Sequence, residues 1–126
     1  MYQAEVFCAK DMTFQVKSKG YEITIDGKSG AISPLDTLLA ALGACAGVYI
    51  RKFVESTKLS LGNFLVRVEA DLTDKAPYRF DQIRLSIDLQ GVILDESKRE
   101  SLLRFVKNCP VHETLKANPE MLISIK

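Results

Sequence analysis

The chain has 126 residues, which suits a single domain over residues 1–126 that buries roughly two thirds of its unfolded surface. Its 17 basic and 16 acidic side chains leave a net charge of +1, which gives no electrostatic basis for binding nucleic acid or an anionic membrane. Three cysteines are too few for a disulfide framework, and the opening residues lack a signal-peptide pattern, so we expect a cytoplasmic protein.

The first 30 residues predict three short strands. Alternating apolar residues run from Tyr2 to Val16 with a break near Lys10, which predicts a hairpin. A third strand over residues 21–25 ends in a turn at Asp26–Gly30. The GxxG in this turn matches the loop of KH-type RNA binders, but a KH loop joins two helices and here a strand comes first, so we expect no nucleic-acid partner.

Residues 33–56 predict the central helix of the fold. Ser33 is a suitable N-cap, Pro34 suits the first helical position, and Asp36 can complete a capping box. The thirteen residues Leu38–Ile50 carry no charge, so the helix has no wet face for more than three turns and has to be covered on every side. This run is shorter than the roughly 18 residues that span a bilayer, so we expect a buried core helix and no membrane partner.

The second half of the chain predicts two paired strands, two helices and a last strand. Alternation over 63–73 and 83–89 predicts an antiparallel pair, and 95–107 suits an amphipathic helix. Pro110 starts a short helix, and the final MLISIK suits a strand. The order is βββα-ββ-αα-β, an α+β fold with a long buried central helix packed on antiparallel sheet. One small sheet does not easily enclose such a helix, so we expect a second subunit to cover part of it.

Cys45 and Cys109 are the candidate reactive thiols. Cys45 lies mid-helix among apolar neighbours, where a thiol is more often inert. Cys109 lies at or beside the N-cap of the last helix, where backbone N–H groups and the helix dipole favour a thiolate, so local reasoning makes it the more reactive. Two such thiols form an attacking and resolving pair if the fold brings them together. Cys8, on the first strand, is expected to be a small core residue.

Three further side chains are candidates for orienting or lining a site. Asp36 is mainly a cap, with an orienting role second. Tyr49 lies one turn beyond Cys45 and can fill the core if its hydroxyl finds a partner. His112 follows Cys109 by three residues, which would allow zinc with Cys45 as a third ligand, but structural zinc sites usually show two short-spaced pairs. We therefore expect no metal, and His112 in a cleft or at the surface.

The residues around both cysteines resemble a known family. Ser33–Cys45, SPLDTLLAALGAC, and Asn108–Leu115, NCPVHETL, are similar to the two motifs of the OsmC/Ohr family of thiol-dependent hydroperoxide reductases. The resemblance implies an OsmC-like fold in an intertwined homodimer, with active sites at the subunit interface. It also implies that Cys45 attacks the peroxide and Cys109 resolves, which reverses the local preference. It implies no cofactor.

The chain departs from the hydroperoxide-reductase branch beside the motif proline. A glutamate follows the proline there and pairs with an early arginine, whereas here Leu35 takes that place and Asp36 comes next. The first arginine of this chain is Arg51, beyond the cysteine. Any cation from the early strands has to be a lysine, which lacks the rigid fork of arginine. The candidates are Lys10, Lys17, Lys19 and Lys28.

From these residues we expect an OsmC-like thiol peroxidase. Cys45 would become a sulfenic acid and then a disulfide with Cys109, which an external dithiol reduces. The apolar surroundings of Cys45 favour bulky organic hydroperoxides as substrates. The alternative, motivated by the missing arginine, is a non-catalytic OsmC-fold dimer that binds a small apolar ligand.

Overall fold

A computed structural model describes all 126 residues. The chain contains, in order, β1 (Glu5–Lys10), β2 (Thr13–Ser18), β3 (Tyr21–Asp26), α1 (Pro34–Thr57), β4 (Leu65–Leu72), β5 (Phe80–Asp88), α2 (Glu96–Val106) and α3 (Pro110–Ala117). The predicted α+β class and the order of these eight elements are confirmed. The chain has two compact units, Met1–Ala40 and Ala41–Lys126, and α1 begins in the first and continues into the second.

The first unit is built on an antiparallel sheet in the order β1-β2-β3. β1 is an edge strand and every one of its residues is exposed. Cys8 on this strand is therefore exposed, and its expected place in a core is wrong. The reason is positional, because the apolar alternation of an edge strand buries nothing until another surface covers it.

The start of α1 follows from local side-chain hydrogen bonds. The Asp36 backbone N–H donates to Ser33 Oγ at 3.0 Å, and the Ser33 hydroxyl donates to Asp36 Oδ2 at 2.8 Å. The predicted N-cap is thus confirmed, although the Asp36 carboxylate bonds the Ser33 hydroxyl rather than its backbone N–H. The positive end of the helix dipole also stabilises a carboxylate in the first turn.

The core of the second unit lies between α1, α2 and the antiparallel pair β4-β5. The β4-β5 register runs from Leu65 opposite Asp88 to Ala70 opposite Ile83, and one face of β4 is half-buried, as the alternation predicts. The fully buried centre consists of Ala46, Ile50, Phe53, Leu102 and Val106. Helix α1 and strand β4 approach each other closely at Gly43. A Cβ added at Gly43 would lie 3.1 Å from a methyl of Val68.

One chain buries α1 along one stripe only, so the full cover expected for this helix depends on a second subunit, which stays a prediction. The buried residues of α1, Leu42, Ala46, Ile50 and Phe53, form a single stripe, whereas Val48 is 52% exposed. Residues of β4, β5 and α2 pack on that stripe. By length and composition alone α1 could cross a membrane, a test that the core helix of a soluble protein also passes.

The predicted last strand does not form. The chain after Asn118, whose left-handed φ of 50° ends α3, contains no helix or strand. A strand needs a neighbour with free backbone groups, and no strand of the same chain pairs with this segment. Its four large apolar side chains are each at least 78% exposed, and they are Met121, Leu122, Ile123 and Ile125.

Candidate thiol site

The structure brings the two predicted thiols together in the second unit. Cys45 lies in the middle of α1 and is half-buried, whereas Cys109 precedes α3 and is fully buried. Both are free thiols. The Cys45 thiol is near enough to Cys109 to influence its ionisation. One thiol is therefore reachable while its neighbour is enclosed.

Cys109 is the N-cap of α3. Its backbone is extended, with φ of −63° and ψ of 137°, and Pro110 takes the first helical position. The His112 backbone N–H donates to Cys109 Sγ at 3.4 Å, so the sulfur occupies the place that a serine or aspartate oxygen usually takes. The predicted placement of Cys109 at a helix N-terminus is confirmed.

The pKa of Cys109 is raised, whereas its position at a helix N-terminus led us to expect a stabilised thiolate. Burial raises the pKa of the Cys109 thiol, and the neighbouring Cys45 thiol raises it further. Hydrogen bonds from the backbone of His112 and Val111 lower it, but burial outweighs them. Cys109 therefore holds its proton at neutral pH, and the expectation of a low-pKa thiol at this position is wrong. The sequence identifies the cap, whereas its desolvation depends on packing.

His112 is held at the same end of α3. Its ring Nδ1 lies 2.8 Å from the carbonyl oxygen of Lys107 and 3.5 Å from Glu113 Oε1. The ring is half-buried. His112 thus lies in a cleft, as one of the two placements predicted for it.

Cys109 and His112 both line an open groove of about 1090 Å³. Apolar side chains of α1, β5 and α2 form much of its wall, including Leu42, Leu85, Ile87, Leu102 and Val106. Four cationic side chains also line it, namely Arg67, Arg99, Lys107 and Lys116. Sequence reasoning missed these cations. Only Arg99 lies in the amphipathic helix α2, and an amphipathic pattern does not reveal what a helix faces across a groove.

The other candidates have structural partners. Asp36 is engaged in capping α1, as described above. Tyr49 packs on α2, with its ring centroid 5.4 Å from that of Phe105, and the Lys52 ammonium lies 4.9 Å from the Tyr49 ring. Tyr49 does not line the groove.

Two of the early lysines have partners within the first unit, and the structure assembles no metal site. In the first unit, Lys17 pairs with Glu22 at 3.3 Å and Lys19 lies over the ring of Tyr2. No group of three or more histidine, cysteine or acidic side chains is arranged to hold a metal ion, so the zinc set considered from spacing is not assembled.

Fold and site together define an α+β protein with two adjacent thiols on separate helices. The chain belongs to the family of OsmC-like proteins, whose model matches residues 26–124. The resemblance carried by the motifs around Cys45 and Cys109 is thereby confirmed.

Solved structures with the same fold cover most of this chain. An OsmC-like protein from Mycoplasma pneumoniae is 20% identical, with a TM-score of 0.79 over 92% of this chain and 87% of its own. An organic hydroperoxide resistance protein OsmC from Legionella pneumophila is 20% identical, with a TM-score of 0.70 over 94% and 90%. One from Elizabethkingia anophelis is 18% identical, with a TM-score of 0.69 over 94% and 89%. A comparison with curated proteins found no match.

Proposed function

We propose that this protein is a thiol-dependent peroxidase that reduces organic hydroperoxides. The main support for this proposal is the pair of neighbouring free thiols, one half-buried on α1 and one buried at the start of α3. Membership of the OsmC-like family supports a redox role of peroxidase type at the family level. The names of the similar Legionella and Elizabethkingia proteins support organic hydroperoxides as the substrate class.

In the proposed cycle Cys45 is the attacking thiol. Its thiolate attacks the terminal peroxide oxygen, so an S–O bond forms and the O–O bond breaks, and the departing alkoxide takes a proton from water and leaves as the alcohol. Cys109 then attacks the sulfenic sulfur, water leaves, and a disulfide joins the two residues. An external dithiol reduces this disulfide by exchange. The raised pKa of Cys109 supports this division of roles, because a thiol that keeps its proton is a poor first nucleophile.

The groove supports an apolar substrate. Its wall is rich in aliphatic side chains and contains Cys109, whereas Cys45 neighbours Cys109 but does not itself line the groove. Such a surface favours a peroxide with a hydrocarbon substituent over hydrogen peroxide, which gains nothing from apolar contact.

The working unit in this proposal is a homodimer. The exposed apolar residues of α1 and the four exposed apolar residues of 121–125 need cover that one chain does not supply. A second copy can cover both, with an interface of obligate size, on the order of 2,000 Å² or more. The intertwined arrangement implied by the family resemblance is part of this proposal.

The second candidate is a non-catalytic dimer that binds a small apolar ligand. The groove favours it, as does the lack of any arginine before Arg51. In that case Cys45 would be an inert thiol. Alkylation at neutral pH separates the two functions, because a peroxide-attacking Cys45 reacts as a thiolate whereas an inert core thiol stays unmodified.

Peroxide turnover with dithiothreitol tests the proposal. We expect cumene hydroperoxide to be consumed faster than hydrogen peroxide, and a Cys8→Ser control to match the parent protein because Cys8 is exposed on β1. Equal rates for the two peroxides would contradict the substrate class. Absence of consumption with either peroxide would contradict peroxidase function and leave the ligand-binding candidate.

A further inference from the structure

His112 is the only histidine of the chain, and it lies beside the buried Cys109 thiol. Its backbone N–H contacts Cys109 Sγ, and its side chain lines the same groove as Cys109. The ring turns back toward the residues before α3, because its Nδ1 contacts the carbonyl oxygen of Lys107. Ring and sulfur therefore share the N-terminal end of α3.

The Lys107 contact fixes which ring nitrogen is basic. A carbonyl oxygen only accepts hydrogen bonds, so Nδ1 carries the hydrogen and Nε2 of the neutral ring keeps its lone pair. The Glu113 carboxylate, 3.5 Å from Nδ1, stabilises the ring once Nε2 has gained a proton. A histidine with a fixed tautomer and a carboxylate beside its other nitrogen has a free basic Nε2 that can accept a proton.

Resolution of the sulfenic acid creates the need for such a base. Cys109 is enclosed and protonated, and a thiol has to lose its proton to act as a nucleophile. Histidine alone has an ordinary pKa near neutrality, so the other charged groups around the groove are less suited to accept and return a proton. Those groups are Arg67, Asp81, Asp88, Arg99, Lys107 and Lys116 on the groove wall, with Glu113 beside the ring.

We propose that His112 Nε2 accepts the Cys109 proton during disulfide formation, a role that for its natural reaction rests on the proposed peroxidase function. Cys109 Sγ attacks the Cys45 sulfenic sulfur, so an S–S bond forms and the S–O bond breaks. The thiol proton moves to Nε2, directly or through one water, and then to the departing hydroxide, which leaves as water. Cys45 sulfur is reduced, Cys109 sulfur is oxidised, and the step needs no other oxidant.

A mixed disulfide on Cys45 tests this role without any peroxide. In a Cys8→Ser background, Cys45 is loaded with a thionitrobenzoate group, and attack by Cys109 releases the coloured thiolate. Cys109→Ser should release none by this intramolecular route. His112→Asn keeps an N–H that can reach the Lys107 carbonyl but has no basic nitrogen, whereas His112→Ala loses both.

We expect both His112 variants to release the thiolate more slowly, by about 10²-fold. Added imidazole should restore the rate of His112→Ala, since a free base can enter the open groove. A purely structural role predicts a normal rate for His112→Asn and no rescue by imidazole. Either of these two results would overturn the proposal.

A peroxide experiment separates the two proposals. After one equivalent of cumene hydroperoxide, His112→Asn should form the Cys45 sulfenic acid at the parental rate and the disulfide about 10²-fold more slowly. A parent protein that consumes no peroxide contradicts the peroxidase proposal, while the exchange rates still decide the role of His112. Parental disulfide formation in His112→Asn refutes the His112 role even where peroxide is consumed.

Discussion

At the scale of single residues, Cys109 combines two duties that oppose each other. Its sulfur caps α3, which stabilises the thiolate, and it is packed away from water, which stabilises the thiol. Burial prevails, so Cys109 is suited to wait in its neutral form until Cys45 has been oxidised. The neutral thiol is also the form that peroxide oxidises less readily, which protects Cys109 while it waits.

The two thiols are therefore expected to respond differently to substitution. Cys45→Ser should abolish peroxide consumption, because a serine hydroxyl is not ionised near neutral pH. Cys109→Ser should keep the first turnover and accumulate a sulfenic acid on Cys45, which dimedone traps for mass spectrometry. A sulfenic adduct on Cys109 in active Cys45→Ser protein would assign the attack to Cys109 instead.

The raised pKa of Cys109 also predicts how stability depends on pH. Below its usual value of about 9.0 the thiol is protonated in both folded and unfolded chains, and its contribution is fully present. As pH rises further the unfolded chain ionises first, so the free energy of unfolding falls until the folded pKa is passed.

Urea unfolding of the reduced protein between about pH 7 and pH 10 measures this loss. Cys109→Ser is the matched control, because a serine hydroxyl can still cap α3 but does not titrate in this range. The parent should lose more stability than Cys109→Ser across that interval. Equal losses would show that the thiol ionises alike in folded and unfolded chains.

At the scale of elements, two glycines of α1 pack at different distances from β4 and from the residue before it. A Cβ at Gly43 would lie 3.1 Å from Val68, whereas one at Gly47 would lie 3.8 Å from Phe64. Gly47→Ala should raise the free energy of unfolding by about 1 kcal/mol, since alanine is the better helix former and finds room. Gly43→Ala should gain less or lose stability, because Val68 has to give way. Denaturant unfolding of the pair measures the difference, and greater stability for Gly43→Ala would contradict this packing.

Elements with local signals were predictable from the sequence, and elements that depend on a partner were not. Ser33 and Pro34 specify the start of α1, and Pro110 the start of α3, through hydrogen bonds and backbone angles within a few residues. The segment 121–126 has the composition of a strand, but strand formation also needs an edge to pair with. The adjacency of Cys45 and Cys109 was likewise supplied by the family resemblance, because spacing along the chain does not report distance.

At the scale of the whole molecule, the proposed dimer rests on apolar surface that one chain leaves uncovered. Sedimentation at micromolar concentration should give a particle of twice 14.0 kDa. Val48→Glu should weaken assembly, since it puts a charge on the exposed apolar face of α1, where Val48 is 52% exposed. Glu55→Gln, at an exposed polar position of the same helix, should leave the mass unchanged. A parent protein that sediments at 14.0 kDa would refute the dimer.

The exposed apolar face of α1 makes the stability of the folded protein depend on its concentration. When a second copy provides the cover, folding and pairing become one equilibrium that obeys mass action. Each tenfold dilution of the chains then removes about 1.4 kcal/mol from the stability of the pair. The expression level in a cell would therefore act in two ways, through the number of chains made and through the fraction of those chains that is folded and dimeric.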